Sequence, residues 1–394
     1  MVFDVERVRE DFPLVKKIIY FDNAATSLTP KPVVDAISEY YLEYRANVHR
    51  GVHRLSERAS LKYEEAREKV ADFIGASFEE IIFVRNTTEA LNAVAYGLSF
   101  ERGDRVLVSE LEHHSNLLPF MRLRARGVEV EVLGIDSKGR IDFEDLEEKI
   151  VGAKLLTLSH VSNVFGTIAP IEKISKLARE NDCLLCIDAA QAVGHLEVDV
   201  KEMGCDFLAF SGHKGTLGPT GIGVLHLREE LQDEFEPVFL GGGMIEDVTL
   251  KSYKITKSPE RYEAGTPNIG GAIGLGAGIR YLERIGVENV KTHERKLTEY
   301  TLKRLDEIEG LKWYGPLERT GVISFNLGEM NSHDLAAILD ERARIMVRSG
   351  HHCAIPLMRA LGVDGMVRAS YHIYNTTEEI EKMIEVLREV SGFL

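Results

Sequence analysis

Residues 183–215 read CLLCIDAAQAVGHLEVDVKEMGCDFLAFSGHKG. Two apolar runs, CLLCI (183–187) and FLAFS (207–211), lead directly into polar chemistry, Asp188 after the first and His213 and Lys214 after the second. A short apolar run bounded by turn residues reads as a strand buried on both faces. Five more such runs accompany this pair: EIIFV (80–84), RVLVS (105–109), VEVEVLG (128–134), KLLTLS (154–159) and IGVLHL (222–227). Between them lie helical stretches such as TEALNAVAYGL and IEKISKLARE, long enough for crossovers. The pattern predicts an α/β fold with a seven-stranded, mainly parallel sheet covered by helices.

A chain of 394 residues exceeds the size at which one core usually stops growing, so two units are expected. From about 235 to 270 the chain turns rich in glycine and polar residues and reads as a loop region. A helix over 271–285 follows, and then helices alternate with the strand-like pieces GVISFNL, ARIMVR and MVRASY. The expected division is an N-terminal segment 1–15 packing with the smaller unit, a large domain 16–270, and a smaller α+β domain 271–394. The net charge is −15 and no basic stripe is present, which argues against nucleic acid or an anionic membrane surface as a partner. No run approaches a membrane span. The opening MVFDVERVREDFP mixes charges among apolar residues and reads as neither a signal nor a transit peptide. Four cysteines make no disulfide framework, so four free thiols and a cytoplasmic location are expected. Cys183 and Cys186 have CxxC spacing, but residues three apart on a strand point to opposite faces, which favours core packing over chelation.

Ligands of an open parallel sheet collect at the carboxyl ends of its strands. Here five ends carry polar sequence: RNTTEA, ELEHHSN, HVSNVFGT, DAAQAV and GHKGTLGPTG. Asp188 and Lys214 at two such ends are either a structural ion pair or the machinery of pyridoxal phosphate. That cofactor needs a lysine for its Schiff base and an acid to keep its ring nitrogen protonated. Thr87 and Thr88 are expected to cap a helix whose N–H groups would face a phosphate, although threonine at a helix start is also an ordinary cap. Ser211 and His213 flank Lys214 and would add donors. Cys353, in RSGHHCAIPLM (348–358), suits a metal ligand, a disulfide half, a buried filler or a nucleophile. Three consecutive zinc ligands are sterically awkward and no partner cluster exists, so no metal is expected. Beside Asp188 and Lys214, the cysteine reads as a nucleophile. Its thiol would need Arg348, His351 or His352 to ionise at neutral pH.

Together RNTTEA, EHHSN, HVSNVFGT, DAAQAVGH, FSGHKGTLGPTGIGVL, RYEAGTPN and RSGHHCAIPLM resemble the SufS-type, or group II, cysteine desulfurases of the aminotransferase class V family. The resemblance runs from DFPLV to ASYHIYNTTEEI and implies a fold type I pyridoxal phosphate enzyme whose large domain binds the cofactor. Carried over by position, Lys214 is the Schiff-base lysine, Asp188 the partner of the pyridine nitrogen, and Gln191 the partner of the phenolic oxygen. His113 stacks on the ring, and Thr88, Ser211 and His213 hold the phosphate. Thr266 reaches the phosphate from the other subunit of a homodimer. Asn163 and Arg368 hold the substrate carboxylate, Arg348 lies in the loop of the catalytic Cys353, and His49 is an active-site histidine. The implied reaction turns L-cysteine into L-alanine and leaves a persulfide on Cys353, whose sulfur goes to an acceptor protein or an iron-sulfur scaffold. Selenocysteine lyase and cysteine sulfinate desulfinase, from the same family, are the alternatives; L-selenocysteine differs from L-cysteine by one atom. A transaminase needs no thiol, and a catalytically silent scaffold would not need Lys214 and Cys353. Two departures from the family pattern stand out. Ala189 replaces a glycine, and Gly215, Thr216 and Leu217 make three residues before GPTGIG where two are expected.

Overall fold

The computed structural model describes residues 3–393. Met1 and Val2 of the expected segment 1–15, and Leu394 of the expected domain 271–394, lie outside the described residues. All seven apolar runs form strands within one residue of their expected bounds: β1 (Ile81–Val84), β2 (Arg105–Ser109), β3 (Glu129–Leu133), β4 (Leu155–Ser159), β5 (Leu184–Asp188), β6 (Phe207–Ser211) and β7 (Gly223–Leu227). They make one sheet in the order β1-β7-β6-β5-β4-β2-β3. Only β7 runs against its neighbours β1 and β6. The other pairs are parallel. The last residues of β1, β2, β4, β5 and β6 therefore share one edge.

Successive side chains on these strands enter two different cores, one on each face of the sheet. Leu185 and Ile187 of β5 face one core and Cys186 the other. Cys183 lies in the first, so the CxxC pair is split by the sheet, for the reason of strand periodicity given above. All four cysteines are free, with Cys353 alone not buried.

A second, antiparallel sheet joins β8 (Leu311–Tyr314), β9 (Val322–Leu327), β10 (Arg348–Gly350) and β11 (Met366–Ser370) in the order β8-β9-β11-β10. It covers a separate core that also takes Ile19 and Phe21. Ile19–Tyr20 pairs in parallel with Ile345–Met346, so ARIMVR contributes to two sheets. The expected loop region 235–270 contains a two-stranded hairpin, Ile245–Val248 with Tyr253–Ile255. Its residues are mostly exposed and lack the apolar alternation that would reveal a strand. The helix expected at 271–285 spans Ile269–Ile285 and lies against the first core. At the N-terminus Val8, Phe12 and Val15 cluster with Leu217, Tyr281, Leu282, Ile373 and Tyr374. Among the described residues no helix is long and apolar enough to cross a membrane.

Candidate active site

The shared strand edge opens into a cavity of about 260 Å³. It brings together Lys214, Asp188, Gln191, His113, Thr87, Thr88, Ser211, His213, Asn163, Arg348, Arg368 and Cys353. His49 and Thr266 are elsewhere. They line a surface depression with Glu260 and Glu263, where the His49 Nε2 lies 2.5 Å from Glu64.

Asp188 ends β5 and accepts the N–H of Ala190 at 2.9 Å. Ala189 is fully buried and donates its N–H to Ala209 O, so the departure from glycine leaves the strand end undisturbed. Burial raises the Asp188 carboxyl above its ordinary range, against the opposing charge of Lys214. Burial likewise brings the Lys214 amine down to about 8, with Asp188 opposing. An amine near neutrality can both form an imine and carry a proton. The His113 ring is held by accepting the Ser115 N–H at Nδ1, 3.1 Å away, which places its own proton on Nε2. Burial, then the Lys214 charge, pushes this imidazole down to about 3, so it is a neutral ring. Gln191 donates Nε2 to Ala24 O at 2.7 Å and retains a second amide hydrogen.

The helix after β1, α1 (Thr87–Gly97), is capped by Asn86, whose side chain accepts the Glu89 N–H. This corrects the expectation that Thr87 and Thr88 are the caps. They are its first two residues, and their hydroxyls meet Ser211 and Ser115, each at 2.7 Å. Ser211 also accepts the Thr87 N–H at 2.9 Å. His213 Nδ1 lies 3.1 Å from Thr26 Oγ1, and burial pushes the ring down to about 4. Hydroxyls, a helix N-terminus and a neutral imidazole converge here as an anion cradle.

Opposite the cradle, Arg348 and Arg368 are direct partners across β10 and β11, so both guanidinium groups leave the same face. Like charges placed so are unfavourable without an anion between them. One carboxylate, Asp22, accepts from Arg368 at 3.3 Å. Arg368 also donates to Asn163 O at 2.8 Å, while its Nε has no partner. Burial lowers this guanidinium to about 10.

Cys353 has φ +57° and the preceding His352 φ +51°. Two consecutive non-glycine residues in the left-handed region store strain of the kind found at functional loops. The turn is held by His114 N–H to Cys353 O at 2.8 Å, Asn163 Nδ2 to His352 O at 2.8 Å, and Ile355 N–H to His114 Nε2 at 3.1 Å. His352 donates Nε2 to Met366 O at 3.1 Å, and its buried Nδ1 has no partner. Burial, with Arg368 and Arg348, drives this ring down to about 2, so it contributes no proton to the thiol. Arg348, another of the neighbours considered for ionising Cys353, lines the same cavity as the thiol.

Sequence reading missed four contributors. Asp22, in the turn sequence FDNAATS, braces Arg368. Thr26 and Ser115 hold His213 and Thr88. Glu112, inside EHHSN, is buried at the ends of β2 and β4 and accepts from Ser109, Asn116 and twice from Ser159. Burial pushes its carboxyl up to about 7 against those hydrogen bonds. Its position in a polar strand end was the available signal.

Among the described residues the geometry gathers three possible metal ligands, His195, Glu294 and His372, away from the cavity. Their hydrogen bonding is already committed: His195 Nδ1 pairs with Glu294 at 2.7 Å, and His372 Nε2 donates to Gly215 O while its Nδ1 accepts the Ile373 N–H at 2.8 Å. No lone pair of His372 is left for a cation.

Comparison with known proteins gives a consistent result. The aminotransferase class-V family matches residues 19–383. A probable cysteine desulfurase of Pyrococcus abyssi is 56% identical over 391 residues, covering 98% of this chain and 97% of that one. A cysteine desulfurase of Escherichia coli K12 is 43% identical over 410 residues, covering all of both chains. The solved apo structure of a cysteine desulfurase from Thermococcus onnurineus NA1 superposes with a TM-score of 0.98 at 56% identity, covering 100% of this chain and 99% of that one.

Proposed function

The chain belongs to the aminotransferase class-V family, among its cysteine desulfurases, and from that premise we propose that it converts L-cysteine to L-alanine and takes the sulfur as a persulfide on Cys353. The observation that carries the reading is one cavity holding an amine, a buried acid, an anion cradle, a pair of facing arginines and a thiol.

The residues fit pyridoxal phosphate. Lys214 would hold its aldehyde carbon, Asp188 its ring nitrogen, Gln191 its phenolic oxygen and His113 its ring face, with Thr87, Thr88, Ser211 and His213 around the phosphate. When bound, the cofactor supplies an electron sink for the carbon that bears the substrate amine. Arg368, Asn163 and Arg348 would grip the substrate carboxylate and aim its sulfur at Cys353. Lys214 Nζ would take the α proton. The Cys353 thiolate attacks the substrate sulfur: an S–S bond forms, the Cβ–S bond breaks, and its electron pair ends in a new C–H bond of alanine. The sulfur stays on the enzyme as a persulfide.

The finer assignment is to the SufS-type group, as a cytoplasmic homodimer with a large domain 16–270, a small domain 271–394 and the segment 1–15 against the latter. The depression shared by His49 and Thr266 supports the dimer, because these two side chains would complete a partner's cavity rather than their own. The persulfide would pass to an acceptor protein or an iron-sulfur scaffold. The test is purified enzyme loaded with pyridoxal phosphate and given L-cysteine without acceptor: one alanine per subunit and a persulfide on Cys353 by mass spectrometry are expected. Cys353→Ser should keep the visible absorbance and its change on adding cysteine, yet form neither product. Undiminished alanine release by that variant would refute the nucleophile. L-selenocysteine run in parallel decides between the desulfurase and the lyase.

A further inference from the structure

The additional residue after Lys214 has a definite place. The segment folds into a closed turn in which Gly218 N and Thr216 Oγ1 both donate to Gly212 O, at 2.7 and 2.8 Å, and Leu217 N donates to Lys214 O at 2.9 Å. Leu217 takes φ +57° and is buried with Phe12, Tyr281 and Tyr374. A leucine is strained in the left-handed region, so its surroundings must impose the conformation. The turn is packed tightly on both sides. A Cβ on Gly194 would lie 2.4 Å from the Gly215 carbonyl carbon, and one on Gly278 would lie 2.3 Å from Thr216 O.

One carbonyl of this turn is held by a side chain from the far end of the chain. His372 Nε2 donates to Gly215 O at 3.1 Å, with its tautomer fixed by the Ile373 N–H at Nδ1. The His372 ring is fully buried and lies 4.8 Å from that of His195, which pairs with Glu294 on the helix Val287–Leu305. Burial, then His195, keeps the His372 ring neutral. Four residues before His372 stands Arg368, and one residue before Gly215 stands Lys214.

We propose that His372 is a positioning residue that ties the strand carrying Arg368 to the turn carrying Lys214, so that the carboxylate grip and the cofactor lysine share one frame. The proposal rests on the reading of Lys214 as the cofactor's lysine. Its consequence is that Lys214 keeps a fixed distance from the charges that face it, namely Asp188, Arg368, Cys353 and Arg348.

The test compares wild type, His372→Phe and His372→Gln. Three quantities are measured: the thermal midpoint of the cofactor-free protein, the titration of the Lys214 amine in that protein by NMR of labelled dimethyl-lysine assigned with Lys214→Ala, and kcat and KM for cysteine after loading with pyridoxal phosphate. The phenylalanine variant should melt within a few degrees of wild type. It should move the Lys214 midpoint by about half a pH unit or more and lower kcat about tenfold, with KM within about twofold. Glutamine, which can donate to Gly215 O, should recover most of both. An unmoved Lys214 titration, or a rate loss that glutamine leaves in place, overturns the proposal. If His372→Phe does not fold, His372→Asn, too short to reach Gly215, takes its place under the same criteria. A wild type that makes no alanine from cysteine refutes the functional reading instead, and the titration in cofactor-free protein still judges His372.

Discussion

Replacing Arg368 by lysine isolates the geometry of the carboxylate grip from its charge. The native guanidinium gives one donor to Asn163 O at 2.8 Å and one to Asp22 at 3.3 Å, which leaves Nε without a partner. With a second N–H it can offer a carboxylate a two-pronged fork; a lysine ammonium keeps the charge and supplies one prong. Losing one charge-assisted hydrogen bond is worth about 1.5–3 kcal/mol. At about 1.4 kcal/mol per tenfold, kcat/KM should fall roughly 12- to 140-fold. The assay is initial-rate alanine formation across a range of L-cysteine. The loss should appear mainly in KM, since the carboxylate is gripped equally before and during the reaction. Arg348 faces the same anion across the strand pair, so Arg348→Ala combined with Arg368→Lys should cost less than the sum of the single losses. An Arg368→Lys enzyme within about threefold of wild type would refute the carboxylate assignment.

Lys214 makes the cofactor-free protein's stability depend on pH. Its folded pKa, about 8, lies below the unfolded 10.5, so between those values the unfolded chain binds more protons and stability rises with pH. Subtracting the melting curve of Lys214→Ala should leave a thermal midpoint that climbs from pH 8 to 10.5; a flat difference would contradict the lowered amine. Thiol labelling should distinguish one cysteine from three. Burial raises Cys183 and Cys205 to about 12 and Cys186 further, so the native protein should alkylate rapidly at Cys353 alone and at four positions in denaturant. Glu263→Ala should be destabilising. Arg67, fully buried, is gripped by both Glu263 oxygens at 2.7 and 3.0 Å and by Glu64 at 2.9 Å, so the variant keeps one carboxylate partner and loses the two-pronged one, at a cost of about 1.5–3 kcal/mol or roughly 2–4 °C in calorimetry.

The seven strands were readable because a buried parallel strand writes itself as a short, continuous apolar run. Their common polar edge was readable because ligand chemistry follows such runs immediately in the chain. Lys214, Asp188 and the Asn163 loop were therefore legible in the residue order alone. The exposed hairpin at 245–255 was not, since it has neither core to face nor alternation to show.

What the sequence by itself determined is the set of reactive side chains and the strand ends that carry them, because both are written within a few consecutive residues. Only the tertiary structure decided which of them meet. The facing of Arg348 and Arg368 depends on strand register, the bracing of Arg368 by Asp22 spans most of the chain, and the hold of His372 on Gly215 joins segments 157 residues apart. Such pairings are set by how the two sheets dock, and no local pattern encodes that.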